Sequence, residues 1–66
     1  MKNSIRVQRA IKNITKAELA QLVNVSRQTI NTMESGKYIP STVLALKIAA
    51  IFEVSVEEVF ELEEGD

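Results

Sequence analysis

Arg27, Gln28, Asn31 and Thr32 fall within the stretch NVSRQTINTMESGK, residues 24–37, whose only large apolar residues are Val25, Ile30 and Met33. At about 100° per residue, a helix over this stretch gathers Arg27, Gln28, Asn31, Thr32 and Ser35 into a sector of roughly 140° and turns Ile30 and Met33 the other way. Idle helix surfaces favour Glu and Lys, which suit helix and solubility. Amides, a guanidinium and threonines suit another task. Gln and Asn can bond both groups of an adenine edge, Arg the two acceptors of guanine, and a Thr methyl can pack on the thymine methyl, so the face fits the major groove of double-stranded DNA. Other chemistries fail on inventory. The chain has no His and no Cys, hence no usual general base, thiolate or zinc set, and its acidic residues cluster only near the end of the sequence. No enzyme activity, metal, cofactor or small-molecule effector is expected.

The formal net charge of −1 hides a strong segregation. All eight basic residues, Lys2, Arg6, Arg9, Lys12, Lys16, Arg27, Lys37 and Lys47, precede Phe52, where only Glu18 and Glu34 oppose them, a balance of +6. Seven acidic residues follow from Glu53 to Asp66. This asymmetry suggests a basic working surface with an acidic terminus turned away from it.

The elements that must carry these residues read as helix throughout. Ser4 to Lys12 forms a first helix, closed by Asn13 in the left-handed conformation. Thr15-Lys-Ala-Glu18 is a capping box opening a second helix to about Val23. Ser26 caps a third, which runs to about Ser35 and ends at Gly36. Pro40 and Ser41 start a fourth, carrying Val43, Leu44, Leu46, Ile48, Ile51 and Phe52. Ser55-Val-Glu-Glu58 reads as a second capping box opening a fifth helix through Phe60 or Leu62. No segment alternates with period two for long enough to be a strand. Leu19, Ala20, Val23, Val25, Ile30 and Met33 can share one interior if the second and third helices cross steeply, with Ala20 at the closest approach. At 66 residues, with 45% hydrophobic residues, one domain is expected. Leu44 to Phe52, interrupted by Lys47, is too short to span a bilayer, and the charged start does not resemble a signal peptide. The expectation is a cytoplasmic protein with no membrane partner.

"TKAELAQLVNVSRQTINTMESGKYIPS" and "ALKIAAIFEVSVEEVF" resemble the Xre or Cro/cI-type helix-turn-helix transcriptional regulators in their minimal form, and the resemblance covers nearly all of residues 4 to 62. It implies an all-α, five-helix, lambda-repressor-like domain with the helix-turn-helix at about 16–35 and an acidic tail at 61–66. The third helix, 26–35, would enter the major groove while the second lies across the phosphate backbone. Arg27, Gln28, Asn31 and Thr32 then match base-reading positions. Lys16, Ser26, Thr29, Lys37 and Tyr38 are assigned to phosphates, Lys16 standing where many members have Gln. Asn13 and Asn24 replace the family's frequent Gly, and Asn is the next most tolerant residue for positive φ.

The resemblance also implies that Arg9 and Glu34 form a largely buried ion pair joining the first helix to the third. Gln8 stands where the family usually has an inward apolar residue, whereas the apolar residues of this helix are Val7, Ala10 and Ile11, with Ile5 nearly opposite. In the family orientation, required for Arg9 to meet Glu34, Val7 and Ile11 become an exposed patch. Because one recognition helix reads only a few base pairs, a homodimer on an inverted repeat is expected, formed through Val56, Val59, Phe60 and Leu62. An antitoxin- or adaptor-like protein-interaction module on the same fold is the alternative.

Overall fold

A computed structural model describes residues 1–66. In chain order it contains β1 (Lys2–Asn3), α1 (Ile5–Lys12), α2 (Lys16–Leu22), α3 (Arg27–Glu34), α4 (Thr42–Phe52), α5 (Val56–Val59) and β2 (Phe60–Glu61). Local hydrogen-bonding chemistry sets most boundaries. Thr15 and Glu18 form the expected capping box, the Glu18 N–H donating to Thr15 Oγ1 at 3.0 Å and the Thr15 N–H to Glu18 Oε1 at 2.9 Å. Ser26 and Ser41 accept from the backbone N–H of Thr29 and Leu44, each at 3.1 Å. Asn13 and Asn24 adopt φ of 56° and 60°. Glu53 closes α4 in the same left-handed region, at φ 58°, where the residue type carried no signal.

Three expectations are corrected toward the C-terminal end. The fifth helix stops at Val59, and Ser55 makes no side-chain cap, so the second capping box does not form. This helix is one turn long, and long-range pairing draws the following chain into a strand. Lys2 pairs with Glu61 and Asn3 with Phe60 in an antiparallel two-stranded sheet that no period-two pattern announced. Ser4 extends the junction, donating from its N–H to the Val59 carbonyl at 2.8 Å and from its hydroxyl to the Glu58 carbonyl at 2.9 Å. The Met1 ammonium lies 3.1 Å from a Glu63 carboxylate oxygen and 3.2 Å from one of Asp66.

One core serves all five helices. Ile5, Leu19, Ala20, Val23, Ile30, Met33, Leu44, Ile48, Ala49, Phe52, Val59 and Phe60 are buried and form one cluster. Burying an aliphatic side chain of this size contributes about 1.5–3 kcal/mol, so the core is what holds such short helices in place. In α1 it is Ile5 that is buried, while Val7 and Ile11 are 58% and 69% exposed and Gln8 is half-buried. That is the family orientation, with the apolar patch outward.

Candidate nucleic-acid interface

The crossing of α2 and α3 places the polar face. Leu19, Ala20 and Val23 of the first element meet Ile30 and Met33 of the second in the core, and the Val25 N–H donates to the Ala20 carbonyl at 2.9 Å across the turn. Asn24 reverses the chain there at positive φ. With Ile30 and Met33 fully buried, the opposite side of α3 must face outward.

Arg27 and Gln28 are exposed and make no hydrogen bond from their side chains within the chain. Arg27 keeps all its donors, and Gln28 both its donors and its acceptor, for an outside partner. Thr32 is half-buried, and its hydroxyl donates to the Gln28 carbonyl at 2.9 Å. In that rotamer Thr32 offers only lone pairs and its methyl. Asn31 is exposed, and its Oδ1 accepts from Lys16 Nζ at 2.7 Å, so a residue assigned to phosphate and one assigned to a base are in direct contact. Ser26 and Thr29 bond to each other, Oγ to Oγ1, at 2.8 Å. Only one of the two hydroxyl protons is used in that bond, leaving the other for an outside acceptor. Lys37 and Tyr38 are exposed in the loop after Gly36, which turns the chain at φ 82°.

Arg9, Lys16 and Arg27 line an open polar groove of about 590 Å³ with Asn13, Ile14, Thr15 and Ala17. Three cationic side chains around the start of α2 make this groove suited to anionic oxygens. Arg9 is already engaged, however. Its Nε and Nη2 donate to Glu34 Oε2 and Oε1 at 2.7 and 3.2 Å, and its Nη1 to the Ile14 carbonyl at 3.2 Å. The Glu34 side chain is 3% exposed and that of Arg9 15%. The pair ties α1 to the end of α3.

Sequence reasoning missed two supports of α3. Arg6 places its Nε 3.7 Å from Glu34 Oε1 from a largely exposed position. Asn3 donates from Nδ2 to the Met33 carbonyl at 2.7 Å and accepts from the Ile5 N–H at its Oδ1 at 3.2 Å. One amide thus satisfies a carbonyl at the end of α3 and a free N–H at the start of α1. No pattern in the sequence marks Asn3, since its partner is 30 residues away.

The expected dimer residues separate. Val59 and Phe60 are 2% and 8% exposed, so they close this chain's own core and do not supply a free surface. They face inward where the β1–β2 pairing holds the end of α5 against the core. Val56 is half-buried against the same core, and Leu62 is 77% exposed. Ile39 and Leu46, both more than half exposed, border an apolar hollow of about 230 Å³ that Met1, Pro40, Val56 and Phe60 also line. No helix is long and apolar enough to cross a membrane.

Comparison with known proteins agrees with this geometry. The family described as Helix-turn-helix matches residues 5–59. An uncharacterized HTH-type transcriptional regulator of Methanocaldococcus jannaschii is 47% identical over 66 residues, covering all of both chains. The HTH-type regulator YgzD of Bacillus subtilis is 44% identical over 64 residues, covering 97% of each. A regulator of the same description from Archaeoglobus fulgidus is 45% identical over 66 residues, covering all of this chain and 93% of its own. With five helices, α2 and α3 crossed over a shared core and a polar outer face on α3, the chain belongs to the Xre/Cro-cI family of helix-turn-helix transcriptional regulators, a DNA-binding and non-enzymatic family.

Proposed function

We propose that this regulator reads a specific double-stranded DNA sequence with α3 in the major groove, and does so as a homodimer on an inverted repeat. The observation that carries the reading is the outer face of α3, where Arg27 and Gln28 stand exposed with every donor and acceptor free while Ile30 and Met33 hold the helix from behind. Arg27 suits guanine N7 and O6, and Gln28 suits the N6 and N7 of adenine. Asn31 and the Thr32 methyl extend the contact by one turn. Lys16, Lys37, Tyr38, and the spare hydroxyl proton of the Ser26–Thr29 pair supply phosphate contacts, which fix register without carrying sequence. A unit of this kind, spanning residues 1–66 as one domain, reads only a few base pairs.

Two copies solve that difficulty. Leu62 is an exposed apolar residue near the C-terminal end, and Ile39 and Leu46, with Val56 beside them, border an apolar hollow that one core leaves uncovered. A second copy of the chain is its occupant, placing two α3 helices about one helical turn, roughly 34 Å, apart. Selection of bound sites from random duplex DNA tests both parts. An enriched inverted repeat is expected. Failure to enrich any sequence would refute base reading, and single half-sites bound without cooperativity by a sedimenting monomer would refute the dimer. Leu62→Glu should shift the dimer toward monomer at micromolar concentration while its helix content is kept.

A further inference from the structure

We propose that Lys16 is a positioning residue for Asn31: its ammonium holds the Asn31 carboxamide with oxygen inward and nitrogen outward, which makes Asn31 a reader of guanine. This rests on the DNA-reading role of α3 and names a base for one of its side chains. Lys16 is the first residue of α2 and Asn31 lies in the second turn of α3, so the contact crosses the helix-turn-helix. The distance from Nζ to Oδ1 is 2.7 Å. A lysine ammonium has three donors and no acceptor. The opposite amide orientation would set an NH2 group against an NH3 group, so the chemistry of the pair decides which end of the amide faces Lys16.

Consequences for the groove follow from the remaining capacity. An asparagine that recognises adenine must give a proton to N7 and take one from the N6 amino group with the same amide. Here Oδ1 is engaged by a full positive charge. An N6 amino group approaching its second lone pair would bring its own positive hydrogens beside that ammonium. Nδ2 keeps both of its protons and faces only acceptors favourably. Guanine presents two acceptors, N7 and O6, in the major groove, and adenine presents one acceptor beside a donor. Lys16 meanwhile retains two further protons, enough to bond a phosphate oxygen while holding Asn31.

The test compares sites selected from random duplex DNA by the unsubstituted protein, Lys16→Met and Asn31→Ala, with helix content checked for each. The base pair read by Asn31 is the one whose preference disappears in Asn31→Ala. At that pair the unsubstituted protein should select guanine, and Lys16→Met should shift the preference toward adenine by about tenfold, because the freed amide can then make the two-point adenine contact. Selection of adenine by the unsubstituted protein would overturn the proposal. So would a Lys16→Met protein that binds all sequences more weakly by one factor with its preference intact, since Lys16 would then be a phosphate contact alone. Without DNA, the side-chain amide resonances of Asn31 should move in Lys16→Met. If they stay in place the positioning role fails while the DNA reading stands, whereas no enrichment of any sequence would remove the reading and this inference with it.

Discussion

Replacing Arg9 by methionine removes the groups that neutralise a buried carboxylate at the end of α3. The Glu34 side chain is 3% exposed and receives two bonds from Arg9, at 2.7 and 3.2 Å. Taking away one partner of a buried pair leaves the other charge uncompensated, at roughly 3–5 kcal/mol. Arg6 stands 3.7 Å away and can swing closer, though its side chain is 79% exposed and acts through solvent. The lower end of the range, about 3 kcal/mol, is therefore expected. In a domain of this size, where 1 kcal/mol shifts Tm by roughly 4–8 °C, that loss lowers Tm by roughly 12–24 °C. Urea titrations followed by circular dichroism would measure it for Arg9→Met, Glu34→Gln and the double variant. Methionine preserves most of the aliphatic packing and glutamine the shape, so the double variant should lose less than the sum of the singles, by about 1.5 kcal/mol or more. An Arg9→Met loss below about 1 kcal/mol, or strict additivity, would show that Glu34 is solvated or held by other groups, and would refute the reasoning.

Gln28→Ala should relax base preference at one or two positions and weaken the preferred site by about 1–3 kcal/mol, while Lys37→Ala should weaken all sequences alike and flatten the salt dependence by about one unit of slope. Binding isotherms on preferred and scrambled duplexes at several salt concentrations separate the two. At Asn24, φ 60°, a β-branched residue is strained, so Asn24→Val should lower stability by about 1–2 kcal/mol while Asn24→Gly does not, as urea midpoints would show. The Lys12 ammonium holds the Glu53 carboxyl below the usual carboxylate range. The backbone N–H of Glu63, and then the Met1 ammonium, do the same for Asp66. These contributions are present above the ordinary carboxylate pKa and are lost as pH falls through the lowered values. Glu63, then Asp66, raises the Met1 ammonium above the usual α-amine range, a contribution present below that range and lost as pH rises through the raised value. Urea midpoints should therefore plateau between roughly pH 5 and 8, and Lys12→Met should return the NMR titration of Glu53 to the ordinary range.

Helix starts at Thr15, Ser26 and Ser41 were legible in the sequence because a capping side chain bonds a backbone N–H only three residues on. The left-handed turns at Asn13 and Asn24 were legible for the same reason, since an asparagine's own chemistry permits positive φ. The face of α3 could be read too, because Ile30 and Met33 recur at helical spacing and leave Arg27, Gln28 and Asn31 on the other side. Where bonds join distant residues, spacing carries no record of them. The Asn3–Phe60 pairing and the Asn3–Met33 bond exist only once the core has brought both ends of the chain to the end of α3. Two-residue strands are too short to show a period, which is why the sheet and the early end of α5 were absent from the helical reading. Burial was likewise a tertiary decision. Val59 and Phe60 carry the same apolar chemistry as Leu62, yet the first two are sealed in the core and the third is exposed, because hydrophobicity states that a residue can be buried and packing alone determines which face is covered.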